Sequence, residues 1–232
     1  NIAYIRSSWK KNFNENKINK IINPKNRWFG DPFVIKKKNL HYIFFEDYSL
    51  KSKKGSISCI KINQKNKSKY FKEIVKETFH LSFPFVFYYN KNYFMIPESS
   101  KNNSVRIYKC VRFPNKWKFV KKIIKNVDLV DPIVFKWKSN WILAASKAKN
   151  EFLYNKLCVY VAKNPLSTNW KPLKSNPIIE SNILGRNAGL IKESNKEIYR
   201  ISQAYLPGNY GAFISVNKIL NILKDGYNER SI

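Results

Sequence analysis

Cysteine and histidine are scarce in this chain of 232 residues. The three cysteines, Cys59, Cys110 and Cys158, are odd in number and lie about 50 residues apart, a spacing that fits neither a disulfide framework nor a zinc ribbon. The two histidines, His41 and His80, add few nitrogen ligands. We therefore expect buried thiols in a reducing compartment, with neither a metal site nor a cofactor.

Long apolar segments are also lacking. No run reaches the roughly 18 apolar residues of a membrane span, and no charged-then-apolar leader opens the chain. We expect a cytoplasmic domain that is at most peripheral at the membrane face. The length suffices for one all-β domain, 1–232, with a substantial core. Because the chain starts at Asn1 rather than Met, we expect it to be part of a longer protein.

Acidic residues are few, since 15 Asp and Glu face 44 Lys and Arg, which gives a formal charge of +29. A nucleic-acid binder concentrates its basic residues on one face or interleaves them with stacking aromatics. Here the excess is mostly Lys, spread through every loop together with Asn and Ile, which is typical of codon bias at solvated positions. We do not expect nucleic acid as a partner, whereas weak attraction to anionic lipid fits the charge.

The chain contains a sequence repeat in four copies. Each copy consists of a turn that ends in Pro or Ala, an apolar segment, a polar turn, and a second segment that begins with an aromatic residue and ends on polar residues. Pro32, Pro84, Pro132 and Ala188 open the four copies, about 50 residues apart. Hairpin strands with this period are typical of β-propellers, because one four-stranded sheet cannot bury both faces until it stacks against neighbouring blades.

The pattern predicts an all-β, five-bladed propeller. Three units cover residues 31–81, 82–129 and 130–184, and a fourth covers 185–217. The two ends are expected to supply the fifth blade, with strands from residues 1–30 pairing beside residues 210–214 and closing the ring. The alternative is an open two-sheet β-sandwich, which also consists of short strands with turns between them.

Acidic residues recur at fixed positions of the repeat. Asp31 and Asp131 come directly before a repeat Pro, while Glu46 and Glu98 follow their Pro by the same number of residues. Propellers direct such positions toward a central channel, where paired carboxylates can divide into acid and base. The alternative for the Asp-Pro pairs is structural, since Asp before Pro often caps its own turn.

Other polar side chains at the same phase are candidates for ligand contact. His80 and Ser82 precede the second copy, and Arg186 lies between two glycines that permit close approach of a ligand. Its forked guanidinium suits carboxylate, phosphate or sugar hydroxyls. Gln203 and Tyr210 add an amide and a phenol. For His80 a satisfied core position is the alternative, and for Tyr210 packing between blades.

Several of these segments together resemble the propeller domain at the N-terminus of glucosamine inositolphosphorylceramide transferases. Similar bacterial domains occur attached to formyltransferase-like sugar-modifying domains. The matching segments lie in the right order over most of residues 27–217, and they are Phe29-Gly30-Asp31-Pro32-Phe33, Tyr42-Ile43-Phe44-Phe45-Glu46-Asp47-Tyr48, Lys54-Gly55-Ser56-Ile57-Ser58, His80-Leu81-Ser82-Phe83-Pro84-Phe85-Val86-Phe87, Met95-Ile96-Pro97-Glu98-Ser99-Ser100, Val130-Asp131-Pro132 and Asn209-Tyr210-Gly211.

The resemblance implies a glycan-biosynthesis setting and a five-bladed propeller similar to those of arabinanases and β-fructosidases. It implies a glycan, sugar-nucleotide or glycolipid ligand, with the transferase chemistry in a fused domain. We therefore expect a sugar-binding or scaffolding domain. The alternative is a glycoside hydrolase or transferase that uses Asp31 with Glu98 or Asp131. Against it stands the second repeat, which has Ser82-Phe83-Pro84 where such hydrolases tend to place another acid.

Overall fold

The structure is a computed structural model that describes residues 1–11, 14–149, 154–193, 195–223 and 226–232. Two short 3-10 helices span Glu15–Lys17 and Ser100–Asn102. The remaining regular structure is β: β1 (Ile2–Tyr4), β2 (Asn19–Ile21), β3 (Arg27–Lys37), β4 (Leu40–Ser49), β5 (Lys54–Ile62), β6 (Ser68–Val75), β7 (Ser82–Tyr89), β8 (Asn92–Glu98), β9 (Ser104–Arg112), β10 (Lys116–Lys125), β11 (Val130–Trp137), β12 (Asn140–Lys149), β13 (Tyr154–Ala162), β14 (Lys171–Pro172), β15 (Ile179–Glu180), β16 (Asn187–Lys192), β17 (Ile198–Leu206), β18 (Asn209–Leu223) and β19 (Gly226–Ser231).

The strands form four antiparallel meanders, which we number as blades. Blade 1 is β3-β4-β5-β6, and blade 2 is β7-β8-β9-β10. Blade 3 is β11-β12-β13, whose last strand pairs with both β14 and β15, and blade 4 is β16-β17-β18-β19. The first strands of successive blades contact one another in turn, β3 with β7, β7 with β11, and β11 with β16. Four sheets arranged around their first strands are a propeller-like fold, which rules out the two-sheet sandwich.

The prediction of five blades is wrong, because the described residues form four sheets of this kind. The N-terminal strands β1 and β2 pair with each other in a separate two-stranded sheet. The predicted pairing of the two ends is not seen in the described residues either. Residues 210–214 belong to β18, which folds back on β17 through the pair Leu206 and Asn209. In this hairpin Tyr210 pairs with Tyr205 and Ile214 pairs with Gln203, so β17 is the strand that lies beside this segment.

Apolar side chains between neighbouring blades form the core. Phe44 of blade 1 is fully buried and lies edge-on to Trp117 of blade 2 at 5.8 Å between ring centroids. A larger cluster joins blades 2, 3 and 4, with Phe87 against Trp141 at 5.9 Å. On the far side of blade 1, the β1–β2 hairpin covers Phe29 and its neighbours. The high aromatic content of the sequence is thus used where sheets pack face to face.

An irregularity in the first strand recurs in every blade. The pairing with the second strand shifts register between Gly30 and Phe33, and equivalent shifts occur in the other three blades. In blades 1, 2 and 3 the shifted residue has a left-handed backbone, with φ of 46° at Asp31, 45° at Phe83 and 51° at Asp131. Each directly precedes a proline, a position that disfavours such backbone, so these are strained β-bulges.

The bulges confirm the equal phase of the repeats. The residue before each bulge pairs with an equivalent residue of the second strand, and these pairs are Gly30 with Glu46, Ser82 with Glu98, Val130 with Ser146, and Asn187 with Ser202.

The cysteines are free thiols inside the blades. Cys59 and Cys158 are buried and Cys110 is partly buried. Burial raises the pKa of Cys110 to about 11, so this thiol stays protonated at neutral pH. Within the described residues, the longest helices are single 3-10 turns and none could cross a membrane.

Candidate functional site

The bulges carry Asp31 and Asp131 into one group of polar side chains at the start of the first strands. Burial, followed by the charge of Asp131, raises the pKa of Asp31 to about 6, against the opposing effects of the Phe83 backbone N–H and of Arg186. The two aspartates therefore lie close enough for the charge of Asp131 to act on the Asp31 carboxyl. We call Asp31, Glu46, Glu98, Asp131 and Arg186 the central cluster.

Asp131 and Arg186 form the charged centre of this cluster. Asp131 is 2% exposed, and its Oδ2 lies 2.5 Å from Nε of Arg186. The guanidinium also lies 5.0 Å from the ring centroid of Tyr210, which is 59% exposed. Arg186 is thus held between a buried carboxylate and an aromatic ring at the surface, a geometry that leaves its remaining N–H groups for a ligand.

Gln203 and Asn187 fix this pair from blade 4. Gln203 donates to the backbone carbonyl of Asn187 at 3.0 Å, and its amide nitrogen lies 3.5 Å from Oδ2 of Asp131. The buried amide of Asn187 donates to the backbone carbonyl of Asp131 at 2.8 Å. The side chains of Arg186 and Gln203 are therefore brought together with Asp131. Asn187, which also contacts Asp131, was not among the residues predicted from the sequence.

A second buried ion pair supports the loop that carries Arg186. Arg200 is fully buried and donates from Nε to Glu229 at 2.8 Å. It also donates to the carbonyl of Leu184 at 2.8 Å and to the side chain of Asn187 at 3.2 Å. A buried arginine that binds two backbone or amide oxygens of one loop holds that loop in place.

Asp31 and Glu98 each hold the bulge of the next blade. Asp31 accepts the backbone N–H of Phe83 at 3.2 Å, and Glu98 accepts that of Asp131 at 3.2 Å. Glu98 also accepts from the Ser100 hydroxyl at 3.0 Å. Burial and the nearby charge of Asp131 raise the pKa of Glu98. Asp31 therefore caps the bulge of the next blade rather than its own turn.

Glu46 and His80 face each other beside the cluster. Nδ1 of His80 accepts the backbone N–H of Gly55 at 3.0 Å, so the neutral ring carries its proton on Nε2, which lies 3.3 Å from Oε1 of Glu46. Burial, followed by the charges of Asp31 and Asp131, raises the pKa of Glu46 to about 8. Burial lowers the pKa of His80. At pH 7 the pair is a neutral acid beside a neutral imidazole.

The second blade contributes an apolar residue where blades 1 and 3 contribute an acid. Phe83 occupies the left-handed bulge position, and its ring packs against Phe33 at 4.8 Å between centroids. Ser82 is buried and pairs with Glu98 across β7 and β8, so it belongs to the strand ladder. The sequence motif Ser82-Phe83-Pro84 had indicated this difference.

Two glycines beside Glu46 give the site part of its shape. A Cβ atom at Gly55 would lie 2.7 Å from Oε1 of Glu46 and 2.9 Å from the ring of His80. A Cβ atom at Gly30 would lie 2.5 Å from the ring of Trp28. Sequence periodicity could have found Trp28, because it shares a strand face with Gly30, whereas the contact of Gly55 depends on the packing of blade 1 against blade 2.

Comparison with protein families places these residues in a known group. The family described as "Glucosamine inositolphosphorylceramide transferase 1, N-terminal" matches residues 16–232. Among individual proteins, the glucosamine inositolphosphorylceramide transferase 1 of Arabidopsis thaliana is 33% identical over 206 residues, which cover 87% of this chain. The protein of the same name from Oryza sativa subsp. japonica is 28% identical over 205 residues, 86% of this chain. The chain spans 27% of the length of these curated relatives.

Several solved structures with a similar fold are glycoside hydrolases. A Bombyx mori family-32 β-fructofuranosidase superposes with a TM-score of 0.68 at 11% identity, over 89% of this chain and 51% of that one. An α-L-arabinanase of Cellvibrio cellulosa superposes with a TM-score of 0.62 at 11% identity, over 87% of this chain and 77% of that one. At such low identity the likeness concerns the fold alone.

Proposed function

Because the chain belongs to the glucosamine inositolphosphorylceramide transferase 1 N-terminal family, we propose that it is a carbohydrate-binding domain of a glycan or glycolipid biosynthesis system. One observation carries the proposal: the ion pair of Asp131 and Arg186 lies against an exposed Tyr210 ring. Convergent polar groups beside an aromatic surface are what a sugar site needs, since the polar groups orient hydroxyls and the ring covers C–H bonds.

The geometry favours binding over cleavage. A glycosidase needs two carboxyl groups that bracket the scissile bond, one as acid and one as base or nucleophile. Here Asp31 and Glu98 each accept a backbone N–H of the next blade, and Asp131 is paired with Arg186. The matching position of blade 2 is Phe83. Asp31, Glu98 and Asp131 therefore act first as contacts between neighbouring blades.

The ligand we propose is a sugar, a sugar nucleotide or the headgroup of a glycolipid. The names of the relatives specify glucosamine and an inositolphosphorylceramide, so an amino sugar is the first ligand to test. The transferase chemistry would reside in a fused domain, since this chain spans only 27% of those relatives. The Lys-rich loops would give such a protein weak attraction to anionic lipid and a position at the cytoplasmic membrane face.

Calorimetry with glucosamine, N-acetylglucosamine and UDP-N-acetylglucosamine tests the proposal. We expect Arg186→Ala to weaken binding by about 1–3 kcal/mol, because a charge-assisted hydrogen bond is lost and its partner stays unpaired. Tyr210→Ala leaves the ion pair in place and should also weaken binding. The exposed Arg112→Ala is the matched control, and circular dichroism must show that each variant is folded. Wild-type protein that binds none of these ligands would contradict the proposal.

A glycoside hydrolase or transferase is the second candidate. The observation that favours it is the strained Asp31 at the first bulge, whose pKa is raised by burial to about 6. Release of reducing sugar from arabinan, fructan or an amino-sugar oligomer would establish this activity if Asp31→Asn abolished it. The exposed Asp128→Asn is the control that must retain it.

A further inference from the structure

Trp28 is a large aromatic side chain at the central cluster that the proposed function has not used. It is 48% exposed, whereas Trp141 and Trp170 are each 8% exposed. Trp28 and Gly30 lie on the same face of β3, and they pair with Tyr48 and Glu46 of β4. The indole therefore lies on the same patch of sheet as the neutral acid of the cluster.

Its ring is held in a defined position. A Cβ atom at Gly30 would lie 2.5 Å from Cη2 of Trp28 and 3.3 Å from Oε2 of Glu46, so the indole edge and the carboxyl flank one point above the Gly30 backbone. Tyr48 lies edge-on to the indole, with ring centroids 6.5 Å apart, and contacts the ring of His80 at 6.0 Å. The indole is thus packed along one edge and supported by a second ring, while about half of it faces solvent.

We propose that Trp28 is the stacking platform for a pyranose ring whose hydroxyls are equatorial, and that Glu46 binds the polar rim of the same ring. This inference rests on the proposed carbohydrate-binding function and specifies its ligand class. A pyranose with equatorial hydroxyls exposes its axial C–H bonds as an apolar face, which fits the exposed indole. The rim of that ring presents hydroxyl or amine groups, and the Glu46 carboxyl, which is 5% exposed and has Oε2 3.3 Å from the point above Gly30, would meet them at the edge of the indole.

The raised pKa of Glu46 favours a protonated carboxyl, which can form more kinds of hydrogen bond with a sugar than a carboxylate can. A protonated carboxyl donates through its O–H and accepts through its carbonyl oxygen, so it can match a hydroxyl that does both. A furanose ring lacks an equivalent set of axial C–H bonds on one face. The platform therefore selects pyranosides over the arabinofuranosides and fructofuranosides.

Saturation-transfer NMR and calorimetry with methyl β-glucosaminide, methyl β-glucoside, methyl β-galactoside and methyl α-arabinofuranoside test this inference. We expect the two gluco-configured sugars to bind most tightly, with their axial protons shifted upfield by the indole ring current. Trp28→Ala should lower affinity about tenfold and remove the shift, whereas Trp28→Phe should retain most of both.

Two further variants separate stacking from folding. Gly30→Ala keeps the indole but displaces it, because the new Cβ would collide with the ring, and it should weaken binding in the same way. Tyr88→Ala removes an aromatic side chain that is 58% exposed near the far end of β7, and it should bind like wild type. Unchanged binding and an unchanged shift in Trp28→Ala would overturn the platform and leave the proposed function intact. Equal or tighter binding of the arabinofuranoside would also overturn it, while wild-type protein that binds no sugar would overturn both.

Discussion

The contacts of some residues of the central cluster could be predicted from the sequence, whereas those of others could not. The repeat phase predicted that Asp31, Asp131 and Arg186 would converge, because each lies one or two residues before the Pro or Ala that opens a copy of the repeat. The pairing of Glu46 with His80 was not predictable in this way. It depends on the N–H of Gly55, which approaches Nδ1 of the histidine only when blade 1 packs against blade 2.

The raised pKa of Glu46 makes stability depend on pH. This pKa is about 8 in the folded chain against an ordinary value of 4.5, so the folded state binds a proton that the unfolded state releases between these values. The free energy of unfolding should therefore fall as pH rises from 4.5 through 8. Glu46→Gln, which stays neutral, should flatten this slope and be more stable than wild type at pH 9.

Urea unfolding at pH 5, 7 and 9 measures this effect. The exposed Glu180→Gln serves as the control and should keep the wild-type slope. A slope that is the same in wild type and Glu46→Gln would show that burial does not hold a proton on Glu46.

At the scale of elements, the sequence predicted the phase of the repeat but not the bulge that lies at that phase. The recurring Pro marks this position in blades 1, 2 and 3 and Ala188 marks it in blade 4, and the shift of register is found there in all four blades. The left-handed backbone at Phe83 was not readable, since nothing in a phenylalanine indicates it. It follows from the strand geometry that its blade shares with the blades of Asp31 and Asp131.

The loop before β16 is an element that depends on a close backbone contact. A Cβ atom at Gly185 would lie 2.0 Å from the backbone oxygen of Asn155, so Gly185→Ala must push β13 and the loop apart. We expect it to lower the free energy of unfolding by about 1–3 kcal/mol and to weaken ligand binding by displacing Arg186. Chemical denaturation with a binding assay on the same variant measures both.

Gly226→Ala is the matched control, because a Cβ atom there meets no atom within 4 Å. It should change stability by less than about 0.5 kcal/mol. If Gly185→Ala behaved like this control, the close approach of β13 would not be what holds the loop.

At the scale of the whole molecule, the sequence predicted a propeller but not how its first and last blades are joined. The N-terminal segment bridges them through side chains. Nε1 of Trp9 donates to Glu193 at 2.5 Å, and its ring packs on Tyr199 of blade 4 at 5.0 Å. Arg6 donates to the Asn63 carbonyl of blade 1 at 2.8 Å. Such contacts have no periodic signal in sequence, so the prediction that the two ends pair as strands did not anticipate them.

This bridge should contribute to global stability. Trp9→Ala removes an indole hydrogen bond and an aromatic contact, so we expect a loss of about 1–2 kcal/mol in the free energy of unfolding. Hydrogen exchange should quicken in blades 1 and 4 more than in blade 2. The exposed Tyr88→Ala is the control. If Trp9→Ala raised the exchange rate by the same factor in blades 1, 2 and 4, a bridging role of Trp9 would be contradicted.

The same bridge sets an order of events during synthesis of the chain. Trp9 leaves the ribosome early, but its partner Glu193 lies 184 positions later. Blades 1 and 2 are assembled from neighbouring hairpins and can fold as they emerge, whereas the ring can close only when blade 4 has been translated. Until then the N-terminal segment has no blade 4 to bind, and the side of blade 4 that meets Trp9 does not yet exist. The contact of Trp9 with blade 4 can therefore form only after blade 4 has been translated, although Trp9 precedes all four blades in the sequence.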